Sequence, residues 1–169
     1  MIKSFSIGSF IVLCAALIES VILANIMFLP AVPDLVLLCV LFISIHNGRL
    51  MGESTGFISG LILDFLSAAP FGLNCLYRTV LGYVGGLFAK TISTEGFFIP
   101  MLLGLSASVL KVVSLWLISF LFPASSLAFS PFTWTVLFEI GLNTILAPFM
   151  FKFLSLFKKS LLLKPESIS

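Results

Sequence analysis

The chain has 169 residues, of which 60% are hydrophobic and 9% charged, and its mean hydropathy is +1.24. A soluble domain carries about a quarter of its residues as charged ones, so this composition excludes an ordinary soluble domain and indicates an all-α, polytopic integral membrane protein. The net charge of +2 is too small to suggest nucleic-acid binding.

The first predicted element is a membrane-spanning helix over residues 6–29. This apolar run is longer than the core of a signal peptide and no small-residue cleavage site closes it, so we expect an uncleaved span. An acidic side chain, Glu19, lies near its middle. Small residues spaced one helical turn apart predict a packing face beside it: Ala16, Ser20 and Ala24.

A proline-rich turn over residues 30–34 leads into a second span, from about residue 32 to His46. At roughly 22 Å this span barely crosses the hydrocarbon layer, so we expect a short helix that is either set upright or shielded by its neighbours. Asn47-Gly48-Arg49 returns the chain at once. His46 lies at the helix end, where we expect it to be solvated.

Two further spans form a central hairpin over residues 50–89, joined at Ala69-Pro70-Phe71-Gly72. Small residues recur at every fourth position of the first of these helices and lead up to an aspartate. They are therefore predicted to stack on one side of the helix, where a neighbouring backbone can approach closely and where the aspartate faces protein rather than lipid. The members of this glycine face are Gly52, Gly56 and Gly60, and the aspartate is Asp64.

The same hairpin carries a base in its second helix. Asp64 and Arg78 lie at comparable depths, roughly 9 to 10 Å from the Pro-Gly turn at about 1.5 Å per residue. Opposite charges at one depth inside a membrane favour mutual neutralisation. The spacing therefore predicts an ion pair between Asp64 and Arg78.

The last two spans are predicted over residues 97–122 and from residue 132 to about residue 153. A turn over residues 123–131 with three serines and no charge joins them. Each span holds one charged residue, Lys111 in the fifth and Glu139 in the sixth. The fifth and sixth spans thus each place a charge inside the membrane.

The predicted architecture is a bundle of about six transmembrane helices in one domain, residues 1–157, followed by a short basic cytoplasmic tail, residues 158–169. Six spans put both termini on one side, and the positive-inside rule makes that side cytoplasmic. The basic residues that fall on it are Lys3, Arg49, Lys90, Lys152, Lys158, Lys159 and Lys164.

Charged side chains inside the spans are the most informative single residues. Each costs about 2.5 to 3.5 kcal/mol at the bilayer centre, so we expect them to pair. Lys111 and Glu139 lie at comparable depth, and Glu19 is close enough in depth to compete for Lys111. We favour internal staples that fix the helix order over the alternative, an ion or proton pathway. The set comprises Glu19, Asp64, Arg78, Lys111 and Glu139.

The sequence offers no pattern typical of a catalytic or metal site. Ser59 has no histidine at its depth to act as a base, and Asp64 has no second aspartate beside it. The cysteines lie in apolar runs without metal-ligand spacing. We therefore expect no enzymatic activity, no cofactor and no metal. The cysteines are Cys14, Cys39 and Cys75.

Three motifs follow one another in the middle of the chain: PDLVLL over residues 33–38, GFISGLILDFLS over residues 56–67, and PFGL over residues 70–73. Together they resemble the rod shape-determining protein MreD family, whose pattern G-x-x-x-G-x-x-x-D-x-x-S is met at every position. The motif-bearing part is about residues 33–86. Length, six-span hydropathy and the basic tail extend the resemblance to most of the chain.

The resemblance implies a bacterial inner-membrane component of the elongation machinery that maintains rod shape. Members of the family act with the bitopic protein MreC, and through it with the actin-like filament MreB and with the RodA and class B penicillin-binding synthase pair that builds lateral peptidoglycan. A helical bundle without a catalytic group would serve there as a membrane scaffold, because it can offer partners only helix faces and short turns.

A second hypothesis comes from a different class of protein. Substrate-capture subunits of energy-coupling vitamin transporters are also six-span bundles and use a small-residue ladder on the first helix for docking, as Ala16, Ser20 and Ala24 could do. Such a subunit needs an outward pocket with loops that close it. The first two outer turns, residues 30–33 and 69–71, are too short for a lid, so we favour the scaffold.

Overall fold

The computed structural model describes residues 2–22, 30–67, 70–89, 91–94, 96–121 and 130–161. Within these ranges the regular secondary structure is entirely helical, which confirms the predicted all-α class. Some predicted features lie outside the described residues: Ala24 of the small-residue ladder, Ala69, most of the 123–131 turn, Lys90, Lys164 and the side chains of Lys3 and Lys159.

Six helices of 13 residues or more, and one helix of 4 residues, make up the described chain. The first helix ends in a π-helical turn. The helices are α1 (Ile2–Leu17, continued by the π-helix Ile18–Ile22), α2 (Leu35–Asn47), α3 (Arg49–Leu66), α4 (Leu73–Leu87), α5 (Phe98–Leu121), α6 (Trp134–Leu156) and α7 (Lys158–Leu161).

The outside of the bundle is strongly apolar. Helices α5 and α6, with 24 and 23 residues, are long and apolar enough to cross a membrane, whereas α2 and the apolar part of α1 are shorter. Large apolar side chains point outward, including Phe98 at 84% exposure and Phe132 at 91%. These features fit a membrane protein. The count of six spans and the side of the termini stay predictions.

Helix α2 forms the centre of the bundle. It contacts α1, α3, α4, α5 and α6, and every residue from Val36 to Ile45 is buried. Because the whole helix is enclosed by protein, its 13 residues need not match the thickness of a lipid layer. Gly48 ends it: a φ of +92° at this residue lets the chain turn directly into α3.

Helices α3 and α4 form an antiparallel hairpin with very close backbones. A Cβ atom added at Gly52 would overlap the carbonyl oxygen of Gly82, and one added at Gly56 would overlap that of Arg78. At Gly60 it would overlap the backbone of Cys75. The glycine face is therefore filled by α4 of the same chain.

Helices α5 and α6 form the second antiparallel pair. Gly104 of α5 lies against Ala147 of α6, and the rings of Phe97 and Phe149 meet edge to face with centroids 6.0 Å apart. The short α7 then returns to α1, and Leu161 is buried there. Residues 158–161 thus pack on the bundle.

Two ends of the bundle can be told apart by their polar residues. The cap end is where α2 and α4 begin, at Asp34 and Gly72. The basic end is where α2 ends and α3 begins, and it carries Arg49, Lys152 and Lys158.

Candidate functional site

Asp34 lies at the start of the central helix and organises the polar interior. As the N-cap residue of α2, its side chain accepts a hydrogen bond of 2.8 Å from the backbone N–H of Leu37. Its own N–H donates to Oδ1 of Asn143 in α6, also at 2.8 Å. The residue is only 2% exposed, and the preceding Pro33 is buried as well. A carboxylate is favoured here by the unpaired N–H groups of the helix start.

Arg78 of α4 supplies the first counter-charge. Its Nη2 atom donates to both carboxylate oxygens of Asp34, at 2.8 and 2.9 Å. The guanidinium also lies over the ring of Tyr77, 5.1 Å from the centroid, which adds a cation–π attraction. Among the described residues, Nε and Nη1 of Arg78 have no hydrogen-bond acceptor. The arginine is 1% exposed, so removal of its partner would leave a buried, uncompensated charge.

Lys111 of α5 supplies the second counter-charge. Its Nζ atom donates to Oδ2 of Asp34 at 2.8 Å and also to Oε1 of Glu139 in α6. Two acids and two bases are thus joined in one chain of ion pairs with no net charge. We call Asp34, Arg78, Lys111 and Glu139 the charge cluster. It connects α2, α4, α5 and α6.

A second polar contact between α5 and α6 lies one helical turn from the charge cluster. Asn143 lies on α6 one turn after Glu139 and is fully buried; its Nδ2 donates to Oγ of Ser108 in α5 at 3.1 Å. Ser108 and Lys111 share a face of α5 by their three-residue spacing. One face of α5 therefore carries Ser108 and Lys111, and one face of α6 carries Glu139 and Asn143. The side-chain amide of Asn143 accepts from the backbone N–H of Asp34.

Glu19 occupies the edge of this region on the π-helical turn after α1. Its Oε2 accepts a hydrogen bond of 3.2 Å from the backbone N–H of Val36, in the first turn of α2. The carboxylates that Lys111 contacts are those of Asp34 and Glu139. Glu19 therefore binds the start of α2 rather than competing for the lysine.

The predicted ion pair between Asp64 and Arg78 is wrong. Asp64 instead caps α4: its carboxylate accepts from the backbone N–H groups of Gly72, Asn74 and Cys75 at 2.9, 3.0 and 3.2 Å, and from Nδ2 of Asn74. Four donors at a positive helix end satisfy this buried charge without a cation.

The register of the hairpin explains the error. Arg78 lies opposite Gly56, which is eight residues, or about 12 Å, before Asp64 on α3. Asp64 is level with the first turn of α4, since Gly60 already meets Cys75. Equal counting from the turn therefore put at one depth two residues that lie roughly two helical turns apart.

The central acid, Asp34, is not among the predicted membrane charges, because it stands in a turn that is predicted to lie at the surface. Its role as an N-cap can be predicted from the sequence, because an aspartate directly before an apolar run is typical of an N-cap. No sequence pattern predicts its tertiary partners, since Arg78, Lys111 and Asn143 come from three other helices. The polar partners Ser108 and Tyr77 were missed for the same reason.

The remaining candidates occupy local structural positions. Ser59 is buried and donates to the carbonyl of Gly56 in its own helix at 2.8 Å. His46 is half-buried rather than solvated: its Nδ1 contacts the carbonyl of Phe42 at 2.8 Å and its Nε2 the hydroxyl of Thr94 at 3.1 Å. Within the described ranges, no group of three or more His, Cys, Asp or Glu residues could hold a metal ion.

The charge cluster occupies one level of the bundle, toward the cap end. Asp34 starts α2, and both Arg78 and Glu139 lie in the second turn of their helices. Titratable groups that move a proton across a membrane form a chain through its depth. The charge cluster instead joins four helices at one level.

Comparison with known families gives one match. A model of the rod shape-determining protein MreD family matches residues 1–157 of the 169-residue chain, a range that includes the charge cluster and the glycine face. No curated protein and no solved structure matches. The family and the apolar helices together indicate a membrane protein with a role in determining rod shape. The chain belongs to the rod shape-determining protein MreD family.

Proposed function

We propose that this protein is a non-catalytic scaffold of the cell-elongation machinery in the bacterial inner membrane, where it supports lateral peptidoglycan synthesis and thereby regulates cell shape. Its direct partner is an MreC-like bitopic membrane protein. Through that partner it serves an MreB-like filament and the RodA and penicillin-binding synthase pair. The family match supports the role in shape, and the partners are those that the family implies.

The observation that carries the scaffold proposal is the charge cluster. The ion pairs of Asp34 join α2 to α4 and α5, and the pair of Lys111 with Glu139 adds α6. Glu19 links the π-helical turn after α1 to α2. Breaking a buried pair costs about 3 to 5 kcal/mol, so these helices resist being displaced relative to one another. A bundle fixed in this way presents constant outer faces, which a scaffold needs in order to position a partner.

The proposed topology is multi-pass, with both termini in the cytoplasm. Arg49, Lys152 and Lys158 all lie at the basic end, and the positive-inside rule assigns such an end to the cytoplasm. The cap end, with Asp34 and Asp64, would then face the periplasm. This orientation supports contact with a bitopic partner by outer helix faces inside the membrane, and with a filament only indirectly.

Partner contacts must use surfaces other than the glycine face. Because Gly52, Gly56 and Gly60 are covered by α4, that face is unavailable to another protein. The exposed apolar sides of α5 and α6 are the most extensive alternative, with residues such as Leu102 and Leu105 on α5 and Ile145 and Phe149 on α6.

The proposal is tested in a rod-shaped bacterium that carries this gene as its only copy. Depletion should give rounded or swollen cells, and the tagged chain purified in mild detergent should carry the MreC-like protein with it. Cells that keep their rod shape after complete deletion would exclude the elongation role. A thermal-shift screen against vitamins serves as the control for the transporter hypothesis, because a tight ligand must raise stability by mass action.

A further inference from the structure

A cavity of about 710 Å³ opens at the basic end of the bundle, away from the charge cluster. It lies between the end of α2, the segment that leads into α5, and the end of α6. Its volume falls in the range of small-molecule and cofactor sites, about 300 to 1,000 Å³. Neither the fold nor the proposed scaffold role requires an open space here.

Two lysines form the charged side of the cavity. Lys152 comes from the last turns of α6 and Lys158 from the start of α7, and both are exposed. Neither takes part in an ion pair within the part of the chain that the structure describes. The lining of the cavity therefore includes two lysines that have no ion-pair partner among the described residues. Such a pair attracts an anion with several acceptor oxygens.

The wall of the cavity beneath the lysines is apolar and rigid. Phe42 and Phe151 are almost fully buried and meet edge to face with ring centroids 5.3 Å apart. Pro100 and Pro148 complete this wall, and neither residue offers a backbone N–H to a ligand. A small inorganic anion gains nothing from such a wall, whereas an acyl chain does.

The polar side chains at the edge of the wall, His46 and Thr94, already have hydrogen-bond partners within the protein. Nδ1 of His46 contacts the carbonyl of Phe42, which can only accept, so this nitrogen carries a hydrogen, and Nε2 contacts the hydroxyl of Thr94. The histidine and threonine thus bind each other and the backbone. Recognition of an anion at this site consequently falls to Lys152 and Lys158.

The cavity continues onto the exposed apolar surface of the bundle. Phe97, which lines it, is 52% exposed and pairs with the ring of Phe149 on the outside of α6; Phe98 beside it is 84% exposed. A ligand with its charged group between the lysines could therefore extend a hydrocarbon chain over Phe97 into the bilayer. Basic pockets between membrane helices bind the head groups of anionic lipids by this arrangement.

From these features we propose that the cavity is a binding site for an anionic phospholipid, with the headgroup phosphate on Lys152 and Lys158 and an acyl chain along Phe97. The site anchors the ends of α2, α5 and α6 to one lipid molecule. It makes the stability of the bundle depend on the anionic lipid content of the membrane.

The test uses the purified full chain in mixed micelles of detergent with either phosphatidylglycerol or phosphatidylcholine. Lipid retained per protein is counted by native mass spectrometry, and thermal stability is measured in parallel. We expect preferential retention of phosphatidylglycerol with a rise in melting temperature. Lys152→Gln and Lys158→Gln should each weaken retention roughly fivefold, which corresponds to one basic residue near an anionic lipid. Phe97→Ala should weaken it while leaving the charges intact.

Arg49→Gln is the matched control, since it removes one exposed positive charge at the same end but outside the cavity. Equal retention of the two lipids, or equal losses in the Arg49 and lysine variants, would overturn the site. Inorganic phosphate alone is the second arm. If it stabilises the chain as much as phosphatidylglycerol does, and Phe97→Ala has no effect, the ligand is a soluble phosphate and the lipid proposal is wrong.

Discussion

Both carboxylate oxygens of Asp34 accept hydrogen bonds from Nη2 of Arg78, at 2.8 and 2.9 Å, although the residues stand 44 positions apart in the chain. This pair joins the start of the central helix to the second helix of the α3–α4 hairpin. Lys111 extends the link to α5 and α6 through the same carboxylate. One acidic side chain therefore contacts both the hairpin and the α5–α6 pair at the start of α2.

Removing either partner of this pair should reduce the amount of folded protein sharply. Asp34→Ala leaves Arg78 and Lys111 without their shared carboxylate, and Arg78→Ala leaves a carboxylate with one counter-charge fewer; each single loss should cost about 3 to 5 kcal/mol. The double variant should recover part of the loss. The measurement is thermal stability in detergent, and strictly additive effects would show that the two side chains are not coupled.

Asp64 should behave as a helix cap and not as a partner of Arg78. Asp64→Ala removes the acceptor for three backbone N–H groups of α4 and should cost about 0.5 to 2 kcal/mol, while Asp64→Asn should retain part of the cap. Combined with Arg78→Ala, the effect should be additive, since the residues share no contact. If the double variant recovers part of the lost stability, Asp64 and Arg78 are coupled, and the hairpin register described here is wrong.

The parts of the fold that sequence reasoning could reach depend on periodicity. A small residue at every fourth position marks one side of a helix regardless of its surroundings, and Gly52, Gly56 and Gly60 do lie together against one neighbour. Counting across the turn between α5 and α6 puts Lys111 level with Glu139, and these side chains are in contact. The first prediction needs only the period of one helix, whereas the second needs the register of two helices, which the same counting gave wrongly for α3 and α4.

Periodicity and depth counting could not predict the partners of Asp34 and Asp64. Depth counting assumes that every turn stands at the membrane surface, yet Ala31 and Pro33 are buried and carry Asp34 into the interior. It also assumes that a buried charge pairs with an opposite charge, whereas the carboxylate of Asp64 accepts hydrogen bonds from backbone N–H groups. Which of two acids meets Arg78 depends on how three helices pack, and no local pattern encodes that.

Reporter fusions test the predicted topology. Fusions after Arg49, after Lys90 and in the basic tail should report the cytoplasm, because positively charged loops are retained there. Fusions near Pro70 and in the 123–131 turn should report the periplasm. If the Lys90 and 123–131 fusions report the same side, α5 does not cross the membrane and the six-span topology is wrong.

The glycine face gives a prediction with an internal control. Gly56→Ala should be strongly destabilising, because the added methyl group would overlap the carbonyl of Arg78 on α4, a backbone group that cannot rotate away. Gly141→Ala, in α6, should be tolerated or slightly stabilising, by up to about 1 kcal/mol, because nothing lies within 4 Å of its added Cβ atom. The two variants add the same methyl group to a helix and differ only in its surroundings.

Protein level and cell shape must be scored together in cells that carry each variant as the only copy. Because the glycine face packs against α4, Gly56→Ala should deplete the protein from the membrane and round the cells, while Gly141→Ala cells should stay rod-shaped with a normal amount of protein. Rounded cells with a normal amount of the Gly56 variant, and loss of the MreC-like protein on co-purification, would mean that this face binds a partner. That outcome would contradict the antiparallel packing of α3 on α4.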